Sequence, residues 1–122
     1  MAGQLLNVTR SITTLTFSTA TTADAWQEGK DAVDVLGYAG TRFDLSLKVF
    51  SFAGTSATIK LYTSMYNDDN NDTWDEIATF TVTAGNVVAV ASVSAEVLRY
   101  IKWHIAYTSV TLVSFEVLGV AW

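Results

Sequence analysis

Residues 41–52 read Thr-Arg-Phe-Asp-Leu-Ser-Leu-Lys-Val-Phe-Ser-Phe, and in them Phe43, Leu45, Leu47 and Val49 alternate with Asp44, Ser46 and Lys48. A pleated strand sends successive side chains to opposite faces, so this run is a strand with one face buried and one wet. The same parity returns three times more. Ala57, Ile59 and Leu61 oppose Thr58, Lys60 and Tyr62, and Ile101, Trp103 and Ile105 oppose Lys102 and His104. Val113, Phe115 and Val117 oppose Ser114 and Glu116. Shorter strands are expected at 5–10, 14–17, 33–38, 76–83 and 86–93. Ile77 falls out of step with Phe80 and Val82, which predicts a β-bulge. Gly37, Gly40, Ala53-Gly54-Thr55, Ala84-Gly85-Asn86 and Thr108-Ser109 punctuate these runs. Turns roughly every 8–12 residues predict an all-β fold, an antiparallel two-sheet β-sandwich of about eight strands arranged as a jelly roll. Helix signals are confined to 22–30, with Asp24 as a cap, and to 94–98.

The chain has 122 residues, half of them hydrophobic and 16% charged. That length makes one domain over 1–122, and the apolar content excludes disorder. Residues 1–25 are either an N-terminal arm or an edge strand, and 11–23 are rich in threonine and serine. An extended segment of this kind satisfies its backbone only by joining a sheet, its own or another chain's. No apolar run approaches the roughly 20 residues of a membrane-spanning helix. Seven basic against 12 acidic side chains give a net charge of −5, the wrong sign for gripping nucleic acid through its phosphates. The N-terminus lacks the basic and apolar regions of a signal peptide, so Asn7-Val8-Thr9 and Asn71-Asp72-Thr73 read as chance matches to the glycosylation pattern. Residues 115–122 stay apolar to the end, which predicts a terminus docked on a sheet or on a neighbouring subunit.

Catalytic chemistry is not visible. With no cysteine, disulfides, thiolate nucleophiles and cysteine-ligated metals are excluded. The loop at 67–76, Asn-Asp-Asp-Asn-Asn-Asp-Thr-Trp-Asp-Glu, offers oxygen ligands to calcium. On the EF-hand template Asp68, Asn70 and Asp72 fit, but Thr73 stands at the obligatory glycine and Thr79 at the bidentate glutamate. A solvated hairpin loop using Asn and Asp for turn geometry is the stronger reading. His104 is the only histidine and has no partner in a metal or triad motif. The pairs Asp31/Asp34 and Asp75/Glu76 read as surface carboxylates, and the scattered glycines make no phosphate loop. The expectation is a protein that is not an enzyme and takes no cofactor.

The surplus lies on the second face. Tyr62, Tyr100, Phe50, Phe52 and Leu98 have the parity opposite to the core, and Val87-Val88-Ala89-Val90-Ala91 is apolar on both faces. Only one face of each sheet is buried in a two-layer sandwich. These residues are therefore either a stacking platform for a sugar or a surface buried between subunits. The aliphatics among them favour the subunit interface, for which the candidates are Phe50, Phe52, Tyr62, Val88, Val90, Leu98, Tyr100 and Trp122.

Three segments carry a resemblance. Thr63-Ser64-Met65-Tyr66, followed by a polar loop and then Thr73-Trp74-Asp75-Glu76-Ile77-Ala78-Thr79-Phe80-Thr81, resembles a run of small phage structural proteins. Leu98-Arg99-Tyr100-Ile101-Lys102-Trp103 is similar to their strand of Arg-Tyr-hydrophobic-basic type, and 112–119 resembles their closing strand. The resemblance covers about residues 41–119 and implies a jelly-roll virion protein of the capsid decoration (cement) type. It implies a homotrimer bound to a major capsid protein, located on the virion after synthesis in the host cytoplasm. The pattern also resembles galactose-binding-type sandwiches, which implies glycan binding as the alternative, and a tail or head–tail connector component is a third.

Overall fold

The computed structural model describes residues 4–35, 42–93 and 97–121. Its eight strands are β1 (Gln4–Asn7), β2 (Thr13–Trp26), β3 (Val33–Asp34), β4 (Phe43–Ala53), β5 (Ser56–Ser64), β6 (Asp75–Val82), β7 (Val87–Val93) and β8 (Tyr100–Ala121). Every pairing is antiparallel. The strand β8 is the spine. On one side it pairs with β5 through its first half and β4 through its second. On the other it pairs with β3 and the end of β2, then with the start of β2 and β1.

This hydrogen-bonded sheet folds over on itself. A straight strand would hold Trp103 and Phe115 about 40 Å apart, yet their rings meet edge to face with centroids 5.5 Å apart. The fold line crosses three neighbouring segments at one level. In β8, Ser109 takes a left-handed φ of 51°. In β2, the register against β8 shifts between Thr16 and Ala23, and the Thr22 hydroxyl accepts the Ser109 N–H at 2.9 Å. Between β4 and β5, Gly54 lies where a Cβ would sit 2.7 Å from Val110 Cα, so no larger residue fits against the bend. The outcome is an antiparallel two-layer β-sandwich of the jelly-roll kind. One layer runs β6–β5–first half of β8–end of β2 with β3; the other runs β7–β4–second half of β8–start of β2 with β1.

The core is the inward parity of both layers. Phe43, Leu45, Leu47 and Val49 of β4 meet Ile59, Leu61, Phe80 and Val82 of the other layer, with Ile101, Trp103, Ile105, Val113, Phe115 and Val117 from the spine. The bulge expected at Ile77 is present: Leu61 pairs with Ala78 and Tyr62 with Glu76, so Ile77 is skipped.

Three expectations are corrected, and two others run into residues outside those described. Residues 22–26 are not helical but end β2, because pairing Ala23–Trp26 with β8 outweighs local preference; only Gly29–Asp31 makes a single 3-10 turn. Of the segment 94–98, residues 94–96 lie outside the described residues. Thr108-Ser109 does not end a strand but bends one. The strand expected at 5–10 stops at Asn7, where Arg10, at φ 64°, closes a turn by donating its N–H to the Asn7 carbonyl. The strand expected at 33–38 is described only at Val33–Asp34, and 36–38 lie outside the described residues.

Candidate functional site

The two layers have different outer faces. On the β5 layer, Tyr62 pairs with Lys102, and both point outward. Lys102 is nevertheless fully buried. The connection from β5 to β6 folds back over it and brings Trp74, itself buried, onto its ammonium. Lys102 Nζ lies 4.4 Å from the Trp74 ring centroid and 4.9 Å from that of Trp26, and donates to Asn71 Oδ1 at 3.1 Å. Two indole faces and an amide oxygen thus replace part of its hydration shell. Burial pushes the Lys102 pKa down, opposed by the carboxylates of Asp69 and Asp68. Tyr62 and His104 complete the cover: Trp26 lies 4.8 Å from the Tyr62 ring and 4.3 Å from the His104 ring. His104 Nε2 lies 3.0 Å from Asp24 Oδ2.

The acidic loop serves its own geometry. The Asn70 side chain accepts the Asp72 N–H, Asp68 Oδ1 accepts from the Thr73 hydroxyl, and the Asp68 carbonyl accepts from Trp74 Nε1. Asp69 Oδ1 accepts the Gly29 N–H at 2.7 Å. Gly29 packs so tightly against the Asn67 and Asp68 carbonyls that a Cβ there would collide with both. The loop is thereby tied to the rest of its layer.

The other layer has no such cover among the described residues. Its outward rows, read across β7, β4, β8 and β1, are Val90–Ser46–Leu118–Asn7 and Ser92–Asp44–Val120–Leu5. Exposure reaches 79% at Val90, 73% at Leu5 and 61% at Val88. Leu5, Val90, Ala91, Leu118 and Val120 line an open groove of about 690 Å³, with Asp44 and Arg42 at its rim. Phe50 is 39% exposed beneath the Lys48 ammonium, 5.8 Å away.

The edges differ in the same sense. On one side of the sandwich the layers end in β6 and β7. The edge strand β6 carries Asp75 and Glu76, the Lys60–Glu76 ion pair at 3.0 Å and the bulge at Ile77. Charges and bulges discourage pairing with a foreign strand. The strand β7 has neither: Val-Val-Ala-Val-Ala-Ser-Val pairs with β4 from Val49↔Val87 to Phe43↔Val93 without a shift in register.

The interface candidates therefore divide. Phe50, Val88 and Val90 lie on the uncovered layer. Tyr62 is on the covered face and half-buried by Trp26. Leu98 and Tyr100 are half-buried at the end of that layer, where Thr63 Oγ1 accepts the Leu98 N–H and donates to the Tyr100 carbonyl. Phe52 is corrected: Val49 pairs with Phe115 but Ser51 with Ser114, so the bulge at Phe50 turns Phe52 inward against the core. Trp122 lies outside the described residues. Sequence parity missed Leu5, Leu118 and Val120, although the last two are apolar residues on the wet side of a half-buried strand. A second depression of about 420 Å³ is polar, lined by Arg10, Trp26, Gln27, Glu28, Asp31 and Trp103 among others. Among the described residues no helix is long and apolar enough to cross a membrane.

No protein-family model matches the chain, and no curated protein matches it in sequence. Solved structures do. The PBSX exported protein XepA superposes with a TM-score of 0.51 at 18% identity, over 95% of this chain and 38% of XepA. The chain thus spans less than half of XepA. The SPBc2 prophage-derived protein YomS matches with a TM-score of 0.43 at 19% identity, over 91% of this chain and 94% of YomS. The CBM36-1 domain of a multidomain xylanase from the hindgut metagenome of Trinervitermes trinervoides gives 0.45 at 11% identity, over 98% and 97% of the two chains. At such identity the likeness to XepA shows a common fold.

Proposed function

We propose that this chain is a non-enzymatic structural protein that buries its uncovered layer against other protein, as a capsid decoration protein does on a phage shell. The observation that carries this reading is the groove between Leu5, Val90, Leu118 and Val120, next to an edge strand without charge. Contiguous apolar side chains with Arg42 and Asp44 beside them suit a contact with another protein. Support also comes from the phage-like segments at 63–81, 98–103 and 112–119. Each bound copy stabilises the assembled shell by mass action. The resemblance implies a place on a major capsid protein in the virion. The test is co-sedimentation with purified phage capsids. Saturable binding that Val90→Lys abolishes is expected, whereas no binding, or binding indifferent to Val90→Lys, overturns the proposal.

The second reading is glycan binding. It is favoured by the polar depression beside Trp26, where Arg10, Glu28 and Asp31 surround an aromatic ring. Against it, Trp26 is already held by Tyr62, His104 and Lys102. A glycan array decides: reproducible hits lost in Trp26→Ala establish this reading, and an empty array removes it.

A further inference from the structure

We infer that the partner of the uncovered layer includes a second copy of this chain, joined to the first by antiparallel pairing of β7 with β7 about a two-fold axis at Val90. This deepens the reading of that layer as a protein-binding surface and rests on it. The edge is open, since among the described residues β7 pairs only with β4. The N–H and C=O groups of alternate residues along this seven-residue strand face the free edge and are a template for another strand, and the template is uncharged and unbulged.

The strand is also nearly self-complementary. A two-fold at Val90 sets Val90 against Val90, Ala89 against Ala91, Val87 against Val93, and Val88 against Ser92. Self-complementarity is what an isologous contact demands, because one patch must fit itself. The flanking charges do not oppose this register. Lys48 sits beside Val88 and Asp44 beside Ser92, whose hydroxyl donates to Asp44 Oδ1 at 2.7 Å. Across the seam one row then reads Lys48, Val88, the partner's Ser92, the partner's Asp44. A cation of one copy and an anion of the other share each flanking row, and the central row, Ser46 to Val90 to the partner's Val90, is neutral. Pairing makes one continuous sheet of the two uncovered layers and places the two Leu5–Val120 grooves on the same outer surface, available together to a larger shell.

Because the sequence has no cysteine, single-cysteine variants read the register directly. Opposed residues of an antiparallel pair have Cα atoms about 4.5–5.5 Å apart, within disulfide reach. Under mild oxidation Val90→Cys is expected to form a disulfide-linked dimer in high yield. Val88→Cys and Ser92→Cys alone are expected to remain uncrosslinked, and an equimolar mixture of those two to crosslink. Light scattering of the unmodified chain is expected to give a dimer or an even multiple. A Val90→Cys protein that stays monomeric on oxidation, equal crosslinking by Val88→Cys alone, or a trimer in light scattering overturns the pairing. Co-sedimentation of the same variant with shells separates that failure from failure of the shell-binding reading, which it leaves standing if binding persists.

Discussion

The two layers grow from the same strand and share one core, yet they end in opposite relations to solvent. The first half of β8 presents Lys102 and His104 outward, and the chain folds a loop over them until Lys102 is fully buried between Trp26 and Trp74. The second half presents Leu118 and Val120 outward, beside Val90 and Leu5, and these form an open groove. Among the described residues, the polar half is covered and the apolar half is bare. Burial alone would favour the reverse, since covering aliphatics is favourable and covering an ammonium is costly. A layer that closes over its own cation hides its outer face by itself, whereas the one that exposes valines at 61% and 79% is the surface for which we propose a partner.

The largest expected effect falls on what the layers have in common. Trp103 lies under both, edge-on to Phe115. Trp103→Ala should lower stability by roughly 3–5 kcal/mol in urea titration. A loss below about 1 kcal/mol would mean that the layers do not share this core. Next comes the cover. Trp74→Ala should cost about 3 kcal/mol and leave Lys102 open to solvent, which amine-reactive labelling of Lys102 would register as a gain.

Smaller, and opposite in sense, is Lys102→Met, which keeps the stem and removes the charge. Replacing a buried charge by a hydrophobe of similar volume is neutral or stabilising, so stability should stay within about 1 kcal/mol of the parent or exceed it. The pH profile is the sharper readout. Burial lowers the Lys102 pKa from its ordinary 10.5, so the folded chain holds this proton less tightly than the unfolded chain. Stability should therefore rise with pH between the lowered value and 10.5, and Lys102→Met should lack that rise. Smallest is the charged edge. Hydrogen bonds from Lys60 and Thr79 hold the Glu76 carboxyl below its usual range. Their contribution is present above the unfolded pKa and fades as pH falls through the lowered one. It should shrink further in high salt because the pair is exposed.

Much of the fold was legible in the alternation. The inward residues of β4, β5 and β8 and the bulge at Ile77 all follow from parity. What escaped was whatever parity does not encode. Val49-Phe50 is an adjacent apolar pair, compatible either with a strand that is wet on one side or with a bulge that resets the count; the bulge turned Phe52 inward. Ser109 supplies the positive φ that a turn and a bend both require, so one long strand read as two. The burial of Lys102 depends on the path of an irregular loop, and loops have no period. Of the candidate surface, Phe50, Val88 and Val90 were visible as apolar residues out of phase. Leu5 was not, because its role depends on β1 lying next to Val120.

The most direct test compares the two outer faces in one measurement, sedimentation velocity at micromolar concentration. The unmodified chain and Tyr62→Ser, altered on the covered layer, should both sediment as assemblies, whereas Val88→Lys/Val90→Lys should sediment as a folded monomer whose urea stability is within about 0.5 kcal/mol of the parent. A monomeric unmodified chain, or assembly lost in Tyr62→Ser and retained in Val88→Lys/Val90→Lys, would contradict the account.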